Sequence, residues 1–161
     1  MAITSTERRR ALIAGSAWLL LALPAMARTD PPNRSKPLVQ IWKSPTCGCC
    51  KDWITHLESN GFITQVSDVG NTAARKRLGI QDKHGSCHTA TVGGYALEGH
   101  VPAKDIHRLL RERPAGIGLA VPFMPVGSPG MDGPEYGDRK DAYDVLLLAK
   151  DGSARVFQSY R

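Results

Sequence analysis

Four cysteines constrain this 161-residue chain more than any other feature of its sequence. Cys47, Cys49 and Cys50 occupy three of four consecutive positions, and Cys87 follows 37 residues after Cys50. Cys47 and Cys50 have the C-x-x-C spacing of a thiol redox motif or of half a metal site, and Cys49 adds a third thiol between them. Thiolates this close together repel one another unless they are oxidised or bound to soft cations. The cysteines therefore indicate a redox site, a metal site, or both.

The N-terminal residues 1–27 have the pattern of an export signal. Three consecutive arginines precede an apolar run from Ala11 to Leu23, and Ala25-Met26-Ala27 fits the A-x-A cleavage rule. Because the run is shorter than a bilayer span requires, a cleaved signal is favoured over an uncleaved anchor; the arginines also weakly resemble a twin-arginine signal. The sequence predicts a periplasmic protein with a linker at 28–37, one domain at 38–161, and no stable membrane insertion after cleavage.

Structural disulfides are the simplest alternative use of cysteines in an exported protein, because oxidising compartments normally pair them. Adjacent cysteines on a helix, such as Cys49 and Cys50, do not easily bridge each other. A structural disulfide also has no need for three thiols within four residues. The spacing therefore favours a functional thiol cluster over two purely structural bridges.

The hydrophobic pattern predicts an α/β domain with the thioredoxin-like order β-α-β-α-β-β-α. Leu38 to Trp42 form a short apolar strand that ends just before the cysteines. A helix then begins near Cys47, with apolar residues at helical spacing from Cys50 to Leu57, and ends at Asn60-Gly61. This register places Cys50 on the buried face. The other predicted elements are a strand at Phe62–Val69, a helix at Asn71–Leu78, a hairpin of Thr89–Val92 and Tyr95–Leu97, and a helix opened by Pro102 that ends before Pro114.

This order of elements predicts that the two cysteine groups meet. In a thioredoxin-like fold, the loop before the third strand abuts the start of the first helix, and Cys87 lies in that loop. Pro114 to Gly137 is rich in Gly and Pro yet carries apolar residues, so we expect an ordered loop packed over the site. Tyr143–Ala149 and Ala154–Ser159 are predicted to form a final hairpin.

The predicted position of the cysteines at a helix start favours thiolates, because free backbone N–H groups create positive potential there. Four clustered thiolates carry four negative charges, of which one zinc ion would leave two uncompensated. Several monovalent soft cations would neutralise the site. Because thiolates select Cu(I) or zinc over hard ions, this count favours copper, with zinc as the weaker alternative.

Several separated motifs between about Leu38 and the C-terminus carry a resemblance to a known family. They are Lys43-Ser44-Pro45-Thr46-Cys47-Gly48-Cys49-Cys50, Ser86-Cys87-His88-Thr89-Ala90, Glu98-Gly99-His100-Val101-Pro102, and Gly118 to Met131. On these motifs the chain resembles the CopG-like copper-resistance proteins, which are periplasmic metal-binding proteins with a thioredoxin-like fold. The resemblance implies a cysteine-bridged multinuclear copper site on Cys47, Cys49, Cys50 and Cys87, and a role in handling Cu(I) and Cu(II) during copper stress.

Other residues in or near these motifs are candidates for supporting roles. Met124 and Met131 carry soft thioethers that would complete a Cu(I) site, or they fill an irregular apolar loop. His88 is a candidate accessory ligand, and His100 is predicted to cap or hydrogen-bond at a helix start. Phe123 departs from the family pattern, which more often has glycine before Met-Pro.

Two further functions remain open at this point. A thiol–disulfide oxidoreductase would use Cys47 as the nucleophile and Cys50 as the resolving thiol, which makes the chain a candidate copper or thiol redox enzyme. A structural zinc site would only hold the fold. Because the net charge of +6 is scattered and no nucleic-acid motif accompanies it, we predict copper ions and other periplasmic copper-handling proteins as partners, and no nucleic acid.

Overall fold

A computed structural model describes residues 35–161 of the chain. The predicted signal at 1–27 and most of the predicted linker at 28–37 lie outside these residues. Within 35–161, no helix has both the length and the apolar character needed to cross a membrane.

Residues 35–161 contain seven strands and three α-helices. The elements are β1 (Leu38–Lys43), α1 (Gly48–Ser59), β2 (Ile63–Ser67), α2 (Thr72–Arg77), β3 (His88–Val92), β4 (Tyr95–Glu98), α3 (Ala103–Glu112), β5 (Gly118–Ala120), β6 (Tyr143–Leu148) and β7 (Ala154–Tyr160), with 3-10 turns at Asp82–His84 and Pro134–Tyr136. The predicted order up to α3 and the final hairpin are confirmed. The short strand β5, inside the segment predicted as a loop, was missed.

All seven strands form one mixed sheet in the order β2-β1-β3-β4-β5-β6-β7. β1 runs parallel to β2 and antiparallel to β3, so the end of β1 lies beside the start of β3. In this register Lys43 pairs with His88. The loop before β3 therefore lies beside the segment between β1 and α1, and each of these two connections carries cysteines. The α/β class is confirmed, and the thioredoxin-like assignment stays a prediction.

The main apolar core packs α1 and α3 against one face of the sheet. Trp53 and Leu57 of α1 share this core with Ile106 of α3 and with Leu97 and Leu119 of the central strands. Because neighbouring residues of a strand point to opposite faces, Ala96 and Ala120 lie instead in a smaller core with Ile80. The indole N–H of Trp53 donates to the carbonyl of Val101 at 2.9 Å. This contact ties α1 to the entry of α3.

The first turn of α3 donates a hydrogen bond to a distant histidine. Pro102 precedes the helix and makes no side-chain cap. The backbone N–H of Ala103 donates to Nε2 of His56 at 3.1 Å. Of the two roles predicted for His100, a cap or a hydrogen-bonding residue, only the capping role is wrong. His56 reaches this N–H from α1, whereas His100 hydrogen-bonds the carbonyl of Pro129.

We expect His56→Gln to weaken the pH dependence of stability. Burial lowers the pKa of His56 below its ordinary 6.5, against a smaller opposing effect of Asp132. The hydrogen bond accepted by neutral His56 contributes about 1 kcal/mol to the free energy of unfolding. This contribution is therefore complete above pH 6.5 and is lost as the pH falls below that value. Glutamine accepts the same bond without titrating. The measurement is thermal unfolding of metal-free protein from about pH 7.5 to about pH 5.

The dependence of stability on pH should become weaker in His56→Gln without disappearing. Burial also lowers the pKa values of His84, His88 and His100, so these residues keep a share of the dependence. Parallel pH profiles for the wild type and the variant would contradict the assigned role of His56.

Candidate metal centre

The first three cysteines surround the N-terminus of α1. Cys47 lies at the N-cap position with an extended backbone, and its side chain makes no cap hydrogen bond. Cys50 is fully buried on the inner face of the helix, as its helical spacing predicts, whereas Cys49 is half-buried. No acidic residue occupies the first helical turn. The positive potential of the helix start therefore acts on the thiols without a carboxylate in that turn to offset it.

Cys87 meets this group from the loop before β3. Its Sγ lies 3.6 Å from Sγ of Cys50 and 3.8 Å from Sγ of Cys49, and Sγ of Cys49 lies 3.6 Å from Sγ of Cys47. All four sulfur atoms lie within 4.8 Å of one another. Cys47 and Cys50 form a disulfide, while Cys49 and Cys87 are free thiols. The predicted convergence of the two cysteine groups is confirmed.

The surroundings of Cys87 disfavour a lone thiolate. Burial, and then the charge of Cys49, raise the pKa of the Cys87 thiol to about 12. Two nearby cations are already paired, since Lys43 Nζ lies 2.6 Å from a carboxylate oxygen of Asp68 and an Arg75 nitrogen lies 2.9 Å from Glu98. At neutral pH the free Cys87 therefore keeps its proton, and a bound soft cation would be needed to stabilise the thiolate.

A buried carboxylate holds the chain on both sides of Cys87. Glu98 is fully buried and accepts hydrogen bonds from Ser86 N at 2.7 Å, Thr89 Oγ1 at 2.6 Å and Arg75 Nε at 2.9 Å. Asn71 donates in turn to the carbonyl of Ser86 at 3.1 Å. Burial raises the pKa of Glu98, and these bonds oppose that effect. Sequence reasoning did not single out Glu98, although a carboxylate beside the apolar residues of a strand is a usable signal.

We expect Glu98→Ala to destabilise the metal-free protein by about 3 kcal/mol, because it leaves Arg75 and the backbone of Ser86 without their buried partner. Glu112→Ala is the matched control, since Glu112 forms an exposed i,i+4 pair with Arg108. Its expected loss is at most about 0.5 kcal/mol. Urea unfolding measures both values, and similar losses in the two variants would refute the anchoring role of Glu98.

Two buried histidines also contact the Cys87 sulfur. His88 Nδ1 lies 3.2 Å from it and His100 Nε2 lies 3.1 Å from it. Both side chains are fully buried, and this burial lowers their pKa values. His100 Nδ1 lies 2.8 Å from the carbonyl of Pro129, which can only accept, so Nδ1 carries the proton. Sequence reasoning missed the contact of His100 with Cys87 because the motif spacing does not show where its side chain points.

The Gly/Pro-rich segment lies against the cysteine helix, as predicted. Gly130 packs so closely that an added Cβ would lie 2.5 Å from the carbonyl oxygen of Cys49 and 2.7 Å from the backbone nitrogen of Trp53. Met131, one of the two candidate thioether ligands, is nearly buried, and its sulfur accepts a hydrogen bond from the Tyr136 hydroxyl at 3.4 Å. Apart from β5 and the 3-10 turn at Pro134–Tyr136, the segment is thus an ordered loop over one side of the site.

Phe123 and Met124 border a groove that opens at Cys87. Met124 is 47% exposed and Phe123 is 75% exposed. Phe123 has a left-handed backbone with φ of 63°, a conformation that glycine adopts more readily than phenylalanine. The conformation is held by its N–H donating to Gly85 O at 3.0 Å and by its carbonyl accepting from the hydroxyl of Ser86.

Two solved structures are similar to this chain. One, named copper resistance protein CopG, form 2, has a TM-score of 0.71 and 48% sequence identity, with 78% of this chain and 98% of that chain covered. The second, form 1 of the protein with the same name, has a TM-score of 0.70 and 48% identity, with 76% and 96% covered. A family model described as a protein of unknown function, DUF411, matches residues 84–131. No curated protein matches the chain.

Proposed function

Because this chain belongs to the CopG family of copper resistance proteins, we propose that it is an exported, periplasmic protein that binds Cu(I) in a cysteine-bridged, multinuclear site. Its ligands are Cys47, Cys49, Cys50 and Cys87. The observation that carries this proposal is the separation of their four sulfur atoms, all within 4.8 Å of one another. Thiolate sulfurs at such distances can each bridge two soft ions. His88, Met124 and Met131 are the accessory candidates.

The charges around the cluster favour several monovalent ions over one divalent ion. Lys43 and Arg75 already neutralise Asp68 and Glu98 rather than the sulfurs. The positive end of α1 contributes only about half a charge. Most of the negative charge of four thiolates must therefore be balanced by the metal itself. Cu(I) meets this need in both charge and softness, and zinc is the weaker alternative.

The cysteines also support an exchange between Cu(II) and Cu(I). Two thiolates, those of Cys47 and Cys50, each give one electron to a Cu(II) ion and join as the disulfide present between them. Two Cu(I) ions result, and Cys49 and Cys87 keep their sulfurs free to bind them. The reverse reaction regenerates the two thiolates and two Cu(II) ions. Copper is the substrate in this scheme, and other periplasmic copper-handling proteins are its proposed donors and acceptors.

Anaerobic copper titration of the reduced protein, expressed from the full chain, tests the proposal. We expect more than one copper per chain by elemental analysis, together with Cu(I)–thiolate absorption in the ultraviolet. At most one copper per chain would contradict a multinuclear site. Chelation should leave a folded metal-free domain with its own apolar core, whereas a structural zinc site predicts unfolding.

The disulfide between Cys47 and Cys50 also favours a second candidate function, a thiol–disulfide oxidoreductase. Such an enzyme requires neither Cys49 nor Cys87. If metal-free protein reduces insulin and the Cys87→Ser variant keeps this activity, the oxidoreductase function is favoured over copper binding. We expect little turnover, because Cys50 is fully buried and Cys87 lies against it.

A further inference from the structure

We propose that Phe123 and Met124 form a docking surface for a basic protein that carries Cu(I) and exchanges it with this chain. The proposal rests on the proposed function and extends it, because it names where such a partner binds and what chemistry its contact face presents. The observation behind it is an exposed phenylalanine in a left-handed conformation, placed between two grooves.

The exposure of Phe123 sets it apart from the other aromatic residues. Its side chain is 75% exposed, and that of the adjacent Met124 is 47% exposed. Within residues 35–161, every other aromatic side chain is buried or half-buried. Single exposed apolar residues are common on protein surfaces, but neighbouring ones beside a groove mark interaction sites. These two side chains therefore present an apolar contact surface.

The loop before β3 holds Phe123 in its exposed position. Its φ of 63° is unfavourable for a side chain of this size, and the exposed ring gains no burial that would offset this cost. The conformation is held by hydrogen bonds to the carbonyl of Gly85 and from the hydroxyl of Ser86. Such unfavourable conformations occur preferentially at functional sites. Because Ser86 directly precedes Cys87, the apolar surface is fixed relative to that cysteine.

Phe123 and Met124 line both of the grooves that meet beside them. The first groove, of about 370 Å³, contains Cys87. The second, of about 490 Å³, is walled by apolar residues that include Pro125 and Leu146. A partner segment that lies along both grooves would contact these two side chains from either side and reach Cys87. The surface therefore places a bound partner next to the cysteine cluster.

Each groove also carries a carboxylate with little or no compensating charge. Asp82 lines the groove at Cys87 and forms no ion pair among residues 35–161. Asp141 lines the second groove, and its nearest cation is Arg139 at 3.8 Å, a long contact between two exposed side chains. These charges are local, since the whole chain has a net charge of +6.

The other charged residues of the grooves are already paired. Arg75, the cation in the groove at Cys87, is bound to buried Glu98. Asp144, in the second groove, lies 2.8 Å from Arg161. The complementary face is therefore apolar at its centre and basic on both sides. A carrier that holds Cu(I) on neutral methionine thioethers fits this face, because the bound ion keeps its positive charge there.

A synthetic peptide of methionines, leucines and lysines is the probe, and a peptide with glutamates in place of the lysines is its control. Amide shifts of the metal-free protein, expressed from the full chain, are followed by NMR as each copper-free peptide is added. We expect the largest shifts around Phe123, and binding about tenfold tighter for the lysine peptide at low salt than at high salt. No binding of the lysine peptide, shifts confined to another surface, or equal binding of both peptides would overturn the proposal.

Variants separate the docking surface from general stickiness. Phe123→Ala should weaken binding of the lysine peptide about tenfold, and Asp141→Asn about threefold. Ile63→Ala is the matched apolar control, because Ile63 is 50% exposed on β2, at the opposite edge of the sheet from β7. Glu112→Gln, in an exposed pair with Arg108, is the charge control. Both should bind as the wild type does, and losses equal to those of Phe123→Ala and Asp141→Asn would overturn the assignment.

Copper transfer tests the role of the surface. When the loaded lysine peptide meets the reduced protein, Cu(I) leaves the thioethers and binds the cysteine sulfurs, whose protons pass to the buffer, and no electron is transferred. Stopped-flow absorption of the Cu(I)–thiolate bonds gives the rate. Phe123→Ala should slow transfer from the peptide about tenfold and leave uptake from a small Cu(I)–acetonitrile complex unchanged.

The two proposals fail in different ways. Equal slowing from both copper sources would show that Phe123 acts on the cysteine site itself, which overturns the docking role. Copper uptake from the acetonitrile complex without peptide binding would overturn the docking surface and leave the proposed function standing. If the wild type takes up copper from neither source, the proposed function fails and the docking role fails with it.

Discussion

Replacing Cys49 with serine should cost the chain roughly half of its bound copper, because a hard hydroxyl replaces the thiolate that links the other sulfurs. Sγ of Cys49 lies 3.6 Å from that of Cys47 and 3.8 Å from that of Cys87. It is therefore the sulfur positioned to bridge ions held by these two cysteines. The measurement is anaerobic copper titration with elemental analysis and ultraviolet absorption, on wild type and variant in parallel.

The same variant separates the two candidate functions. Cys49→Ser leaves Cys47 and Cys50 able to form their disulfide, so a thiol–disulfide oxidoreductase would keep its activity. Thr46→Ser is the matched control, because Thr46 lies in the same segment with its hydroxyl bonded to Ser44 rather than to a cysteine. Wild-type copper content in Cys49→Ser would refute a bridging role for this sulfur.

Gly130→Ala should destabilise the protein by about 2–4 kcal/mol, the sum of a left-handed backbone cost and a steric clash. Gly130 has φ of 83°, and the new Cβ would lie 2.5 Å from the Cys49 carbonyl oxygen and 2.7 Å from the Trp53 nitrogen. Both are backbone atoms of α1, so neither can rotate away, and the loop must lift from the helix. We also expect weaker copper binding, since the loop that carries the accessory candidate Met131 then moves away from Cys49.

Gly61→Ala is the control for the cost of the backbone conformation. Gly61 also has a positive φ, of 88°, but an added Cβ would meet nothing within 4 Å. Its expected loss is about 1 kcal/mol, from conformational strain alone. Urea unfolding measures the loss of unfolding free energy in each variant. The difference between the two losses is the cost of the clash between the loop and α1. Equal losses would mean that Gly130 is needed only for its conformation.

The order of elements was predictable because the signals for it are local. Apolar residues at helical spacing define the buried face of α1, and the burial of Cys50 and Trp53 follows from that spacing. β5 carries no such signal. It has only three residues, and it is a strand because it pairs with β4 and β6. Gly118 permits that approach, since a Cβ there would lie 1.8 Å from the carbonyl oxygen of Ala96.

The polar residues around Cys87 were harder to predict. Glu98 and His100 were visible only as parts of a motif, and His100 was assigned to the start of α3. A sequence does not specify the direction of a side chain that leaves a turn. Here the carbonyl of Pro129, in the 118–131 segment, bonds His100 with its Nε2 against Cys87, and the first turn of α3 is left to His56.

By itself, the sequence determined that three thiols lie at the start of a helix and that a fourth precedes a strand, because these relations depend on spacing within a few residues. The order of elements also predicted that Cys87 meets this group, but only the tertiary structure decided that its sulfur lies against Cys49 and Cys50 on one side and contacts two buried histidines on the other. The reason is the antiparallel register of β1 and β3, which pairs Lys43 with His88. Long-range pairing of this kind joins segments whose separation along the chain carries no information about their distance in space.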